Sequence, residues 1–232
     1  MQEAVRAGYK ALHEKKDSDH QSNMTPALKA VLAAVAVMED RPAFNCGLGS
    51  VLNEDGRVEM DASVMDGDLR YGAVGSISDV KNAVHVAGKV LTDSEHCFFA
   101  GEGAKRFALR HGFEELEPGA LETSWAREAL ELAKKEGTGM QHEIGGGETG
   151  TVGAVAIDAE GNLAAATSTD LAGGGRLTVV QPQLDAAFRD AEKSGVKPPH
   201  SEALRAEIQV SHIEPSFSSF CAGSFGHFRK HS

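Results

Sequence analysis

ETGTVGAVAIDAEGNLAAATST, residues 148–169, decides how this chain folds. TVGAVAID (151–158) and LAAATST (163–169) are runs of small and β-branched residues. The turn-forming AEGN lies between them, so the stretch reads as a β-hairpin. Directly upstream, GTGMQHEIGGGETG (137–150) carries six glycines and no apolar period. That composition predicts a flexible linker. Thr151 therefore stands where a glycine-rich linker enters a strand of buried type.

Upstream of the hairpin, helical and extended signals alternate. The apolar spacing predicts helices over 124–136 and 101–111, each ended by a glycine, and Asp79 as the cap of a helix running to about Leu91. GAVGSI (72–77) reads as a tightly packed strand, and Val58, Met60, Ala62 and Val64 alternate with polar residues as a half-buried strand does. Thr25-Pro26 is a helix start, with Thr as N-cap and Pro at the first helical position. The apolar run from Leu28 to Met38 then predicts a buried helix that stops before Pro42. The opening segment places Val5, Tyr9 and Leu12 on one helical face. Strands and helices so mixed predict α/β layers rather than a helical bundle.

After Thr169 the character changes. LAGGGR (171–176) reads as a loop, LDAAFRDAEKSG (184–195) and SEALRAEIQ (201–209) as helices, and no structure is assigned to the Ser-, Phe- and Gly-rich end, 216–232.

The 232 residues carry a net charge of -11. Nucleic acids and anionic membranes demand a cationic footprint, so neither is expected as a partner. No run approaches the roughly 18 apolar residues of a membrane span. Three cysteines (Cys46, Cys97, Cys221) without CxxC spacing fit a reducing, cytoplasmic setting, with Cys46 and Cys97 as buried small hydrophobes. His227 and His231 stand four apart with no carboxylate beside them, which argues against a zinc site.

The chemistry concentrates at the Gly150-Thr151 step. A threonine hydroxyl is a weak nucleophile unless a base sits beside it. Cutting the chain before Thr151 would free its own α-amine, whose pKa of about 7.7–8.0 suits a general base near neutral pH. The β-branch restricts χ1 and so holds the hydroxyl toward its target. Gly150 tolerates backbone angles that other residues resist, which lets strain gather at the bond to be cut. The same glycines offer no phosphate cradle, because no GK[ST] follows and the next element is a strand. Asp61 and Asp66, in MDASVMDG, could pair as acid and base but read better as loop-holding carboxylates.

Three segments in order, FNCGLGSVLNEDGRVEMDASVMDG (44–67), GAVGSI (72–77) and ETGTVGAVAIDAEGNLAAATST (148–169), resemble the signature of the isoaspartyl peptidase/L-asparaginase family. AVRAGYKAL (4–12) and EHCFFAGEGAKRFALRHGF (95–113) fit the same family. The resemblance implies an Ntn-hydrolase αββα sandwich, here incomplete. It implies an α-subunit-like part, 1–150, ending in the glycine-rich linker, and a β-subunit-like part, 151–232, family-like to about residue 170. It makes Thr151 the nucleophile after autoproteolysis at Gly150-Thr151, Thr169 a second threonine that tunes the nucleophile's amine, and Asn45 an asparagine near the site. The backbone carbonyls of Met38, Glu39, Arg41, Phe44, Cys46 and Leu48 align with a loop that binds a structural sodium ion; no other cofactor is implied. The implied substrates are small, L-asparagine or a β-aspartyl (isoaspartyl) dipeptide, and the implied assembly is a homo-oligomer of cleaved α/β units.

The pattern breaks in places. Asp170 follows TST where the family places Gly-Gly. The family's Arg and Asp that grip the substrate's carboxylate and amine have no full counterpart, Arg176 being the nearby guanidinium, and the Thr-Gly pair of its oxyanion hole has no equivalent after residue 170. These losses leave open a non-catalytic relative or truncated isoform that binds partners; a second alternative is a threonine-aspartase-like endopeptidase, which GAVGSI (72–77) and VKNAV (80–84) resemble. The losses also predict little or no turnover of L-asparagine by this chain, since losing one oxyanion donor alone costs about 10²- to 10³-fold in rate.

Overall fold

The computed structural model describes residues 1–14, 24–136 and 151–170, together with the backbone of the strand 207–213. Helices α1 (Gln2–His13), α2 (Pro26–Glu39), α3 (Ala83–Asp93), α4 (Gly101–Arg110) and α5 (Ser124–Glu136) accompany strands β1 (Met60–Asp66), β2 (Tyr71–Ile77), β3 (Phe98–Ala100), β4 (Thr151–Ile157), β5 (Leu163–Asp170) and β6 (Glu207–Ile213). The strands form one sheet in the order β3-β2-β1-β5-β4-β6, antiparallel except for the β2–β3 pair. The fold is thus α/β, as expected. The parts before and after residue 150 are not separate units of structure: β5 pairs with β1 along seven residues, from Met60↔Asp170 to Asp66↔Ala164.

One face of the sheet carries the apolar core. Met60, Ala62 and Val64 of β1 share this face with Ala164 and Ala166 of β5 and with Val152, Ala154 and Ala156 of β4, since paired residues on antiparallel strands point the same way. They pack into one cluster with Leu28, Val31 and Val35 of α2 and Val84, Val86 and Val90 of α3. Close approach depends on two glycines. A Cβ on Gly72 would lie 2.4 Å from the Ala87 carbonyl of α3, and one on Gly88 would meet the Leu32 side chain of α2 at 2.9 Å. Small residues there let α3 sit on β2 and against α2.

Helix α2 begins as its sequence dictates, with Thr25 accepting a hydrogen bond from the Leu28 N–H at 3.2 Å. Three expectations fail for identifiable reasons. In α1 the buried face is Ala4, Gly8 and Leu12, while Val5 and Tyr9 are exposed, because small residues let α1 lie close to its neighbours. Asp79 does not cap α3: its carboxylate pairs with Lys105 at 3.0 Å, Val80 bridges to Glu115, and the helix starts later, at Ala83. The Val84 N–H at the start of α3 finds its acceptor in the Glu39 carboxyl of α2, 3.0 Å away. Lastly, Glu207–Gln209, read within a helix, lie in β6 and pair with β4, where the partner strand decides the conformation.

Cys46 is buried as expected, but Cys97 is exposed at the entry to β3. The segments 171–206 and 214–232, and with them Arg176, Cys221, His227 and His231, lie outside the described residues, as does the linker 137–150 with Gly150. Among the described residues no helix is long and apolar enough to cross a membrane.

Candidate active site

Thr151 is the first residue of β4 and Thr169 the second-last of β5. Val152 pairs with Ser168, so the antiparallel register places Thr151 opposite Thr169 on the neighbouring strand. Asp61 of β1 pairs with Thr169 from the other side. Asp61, Thr169 and Thr151 thus form one cross-strand row on the sheet face opposite α2 and α3. The next row on this face holds Ser63 and Thr167, both fully buried, with hydroxyls 3.1 Å apart.

A bulge sets Asp61. The β1–β2 register shifts between Met60 and Ala62, and Ser76 of β2 takes the left-handed conformation at φ 50°. Its N–H thereby reaches the Asp61 carboxyl at 2.7 Å, while its hydroxyl donates to Glu59 at 2.9 Å. Burial raises the Asp61 pKa to about 6, and nearby Glu59 adds to the rise against the pull of the Ser76 N–H.

The end of β5 carries a second polar group, on the helix-covered face. Ser168 donates to the Glu39 carboxyl at 2.7 Å. Burial pushes Glu39 up to about 7, and the Cys46 thiol well above its usual range. Asn45, in the loop after α2, donates its Nδ2–H to the Asp170 carboxyl. Asp170 is raised to about 7, again by burial first; Asn45, its own backbone N–H and the Thr169 hydroxyl pull the other way. Asn45 Oδ1, Asp170 Oδ2 and Glu39 Oε2 are buried with no hydrogen-bond partner among the described residues.

Of the residues expected to form a site, Thr151 and Thr169 thus lie side by side, and Asn45 is tied to Asp170, the residue after Thr169, on the helix-covered face. Sequence reading marks Asp170 as a departure from the family pattern but assigns it no task. The link to Asn45, 125 positions away, has no local signal.

The loop expected to hold sodium folds as a tight carbonyl-lined turn. The carbonyls of Met38, Arg41, Phe44 and Cys46 accept backbone N–H groups of Arg41, Phe44, Cys46 and Gly49 at 2.8–3.3 Å. Gly47 closes the loop against Glu39, where a Cβ would lie 2.2 Å from the Glu39 carbonyl oxygen. Leu48 sits in the 3-10 turn Gly47–Gly49 that ends it. No group of three or more His, Cys, Asp or Glu side chains among the described residues could hold a metal ion. A cleft of about 320 Å³ between the turn at Asp55–Val58 and the segment Leu116–Glu122 shares no residue with the threonine row.

A sequence profile of the asparaginase family matches residues 1–178, more than half of the chain. The chain belongs to the asparaginase family. The isoaspartyl peptidase/L-asparaginase of Bos taurus is 46% identical over 144 residues, covering 62% of this chain and 46% of that protein. The isoaspartyl peptidase of Escherichia coli (strain K12) is 44% identical over 149 residues, with the same coverage of 62% and 46%. The isoaspartyl peptidase/L-asparaginase of Danio rerio is 42% identical over 171 residues, 73% of this chain and 52% of that protein. The chain thus matches about half the length of these curated relatives.

Proposed function

We propose that this asparaginase-family chain is a threonine-nucleophile amidohydrolase that cuts itself between Gly150 and Thr151 and then hydrolyses L-asparagine or β-aspartyl dipeptides. The observation that carries the reading is the placement of Thr151 at the head of β4, opposite Thr169 on β5. Once freed, the α-amine of Thr151 takes the hydroxyl proton as the oxygen attacks the amide carbon, and returns it to the leaving amine. The acyl-enzyme is then opened by water. Thr169, one strand away, orients and polarises that amine. The family names of the relatives, isoaspartyl peptidase and L-asparaginase, support the substrate class.

A sodium ion would sit among the carbonyls of Met38, Glu39, Arg41, Phe44, Cys46 and Leu48, hard oxygen ligands suited to a hard cation. What supports this is that each hydrogen-bonded carbonyl of the loop keeps a second lone pair that a cation could use. Its contribution would be to fix the loop that carries Asn45. The acidic balance of -11 favours a small-molecule or dipeptide substrate over nucleic acid or an anionic membrane surface, and a cytoplasmic setting goes with the lack of CxxC pairs. The assembly we propose is a homo-oligomer of cleaved α/β units.

Two substitutions test the assignment on purified full chain. Thr151→Ala should abolish self-cleavage, ammonia release from L-asparagine, and release of aspartate and the free amino acid from a β-aspartyl dipeptide. Thr169→Ala should leave a folded protein of greatly reduced activity. Wild-type rates in either variant would remove that residue from its role.

A further inference from the structure

Asp170 directly follows Thr169, and its carboxyl group does something specific to Asn45. It accepts the Nδ2–H of Asn45. A carboxylate oxygen accepts and cannot donate, so the partner must turn its NH₂ end toward Asp170 and its carbonyl end away. Asn45 Oδ1, so turned, is buried and has no partner among the described residues. Buried acceptors are rarely left without a donor, and one that is calls for an explanation, a role in chemistry or a bound water or ion among them. Asp170 is the residue after Thr169 on β5, and its own side chain lies on the helix-covered face with Met60. Asn45 comes from the loop after α2, and Asp170 ties that loop to the end of β5, one residue beyond Thr169.

We propose that Asp170 is a positioning residue: by holding the Asn45 amide at the end of β5, beside Thr169 in the chain, it presents Asn45 Oδ1 as a fixed hydrogen-bond acceptor for an N–H donor at the site, either an amide or an ammonium. The proposal rests on the reading of Thr151 as nucleophile, because that reading makes the end of β5 a reaction site. A glutamine or asparagine side chain can offer either end, so an aspartate here is more selective than its amide.

The test uses the full chain, above neutral pH, with Asp170→Asn and Asn45→Ala. Asp170→Asn keeps the shape but no longer dictates which end of Asn45 faces it. It should unfold at nearly the wild-type temperature yet self-cleave about tenfold more slowly, the factor within reach of one charge-assisted hydrogen bond. A purely structural contact would move the melting temperature instead. Asn45→Ala approaches from the other partner and should slow cleavage at least as much, and combining the two should add nothing further. Wild-type cleavage rates in either single variant overturn the proposal. Should the wild-type chain fail to cleave at all, the reading of Thr151 falls, and hydrogen exchange decides the Asp170 proposal alone. The Asn45 side-chain amide protons should then exchange about tenfold more slowly in the wild type than in Asp170→Asn; equal rates overturn it.

Discussion

Asp66 and Asp158 are as deeply buried as Glu39 and Asp170, at 3%, 1%, 2% and 6% exposure, yet the two pairs are built in opposite ways. Asp158 accepts the N–H groups of Glu160 and Asn162 at 3.1 and 2.9 Å, the Asn162 side chain, and the distant Ala27 N–H at the start of α2. Asp66 accepts the N–H groups of Asp68 and Arg70 and the Arg70 guanidinium at 2.6 Å. Both tie a hairpin turn shut, and neither leaves an oxygen idle. Glu39 and Asp170 each leave one oxygen buried and unpartnered, and each is raised to about 7. A buried carboxylate saturated by donors holds a turn. A buried carboxyl with a spare oxygen marks the end of β5, next to Thr169.

That contrast can be broken experimentally, most severely at Asp158. Asp158→Ala strips several donors of their acceptor at once, including one at the N-terminus of α2. It should cost about 3 kcal/mol in urea unfolding, the range for leaving several buried donors unpaired. A loss below about 1 kcal/mol would mean that the turn is held by its backbone alone.

The next effect is pH-dependent. The Asp61 pKa is raised from 3.8 to about 6, so the folded chain keeps a proton there that the unfolded chain has lost. This contribution is whole below pH of about 4 and disappears as pH rises toward about 6. Asp61→Asn does not titrate, and its side-chain oxygen still accepts the Ser76 N–H. Relative to the wild type it should gain about 2 kcal/mol between those pH values, at about 1.4 kcal/mol per pH unit. A constant difference across the window would show that Asp61 titrates alike in the folded and unfolded chain.

The smallest effect is expected at Glu39. Glutamine retains the oxygen that accepts from Val84 and Ser168 and resembles the protonated acid. Glu39→Gln should therefore stay within about 1 kcal/mol of wild type near neutral pH. A cost above about 3 kcal/mol would instead place Glu39 with Asp66 and Asp158 as a charged anchor.

Much of this was legible in the sequence where the signal is local. The hairpin of β4 and β5, the Thr25 cap of α2, and helices α4 and α5 follow from residues within one turn or one strand of each other. The loop-holding task of Asp66 follows from turn chemistry in the same way. What escaped the sequence depends on partners far along the chain. Strand β3, three residues long, has no period to read and exists by pairing parallel to β2. The start of α3 is fixed by Glu39, 45 positions earlier, rather than by Asp79. In the candidate site, Thr151 and Thr169 stand in the motif itself. Asp170 and Asp61 acquire meaning only through Asn45 and the β1–β2 bulge, which the fold brings to them.

The central claim is that Thr151, at the head of β4, becomes a free N-terminal nucleophile. Mass analysis and N-terminal sequencing of the purified chain after incubation test it most directly. Two fragments should appear, and the smaller should begin TVGAV, the residues from Thr151 onward. A chain that stays whole after prolonged incubation, or a fragment beginning at any other residue, would contradict the account.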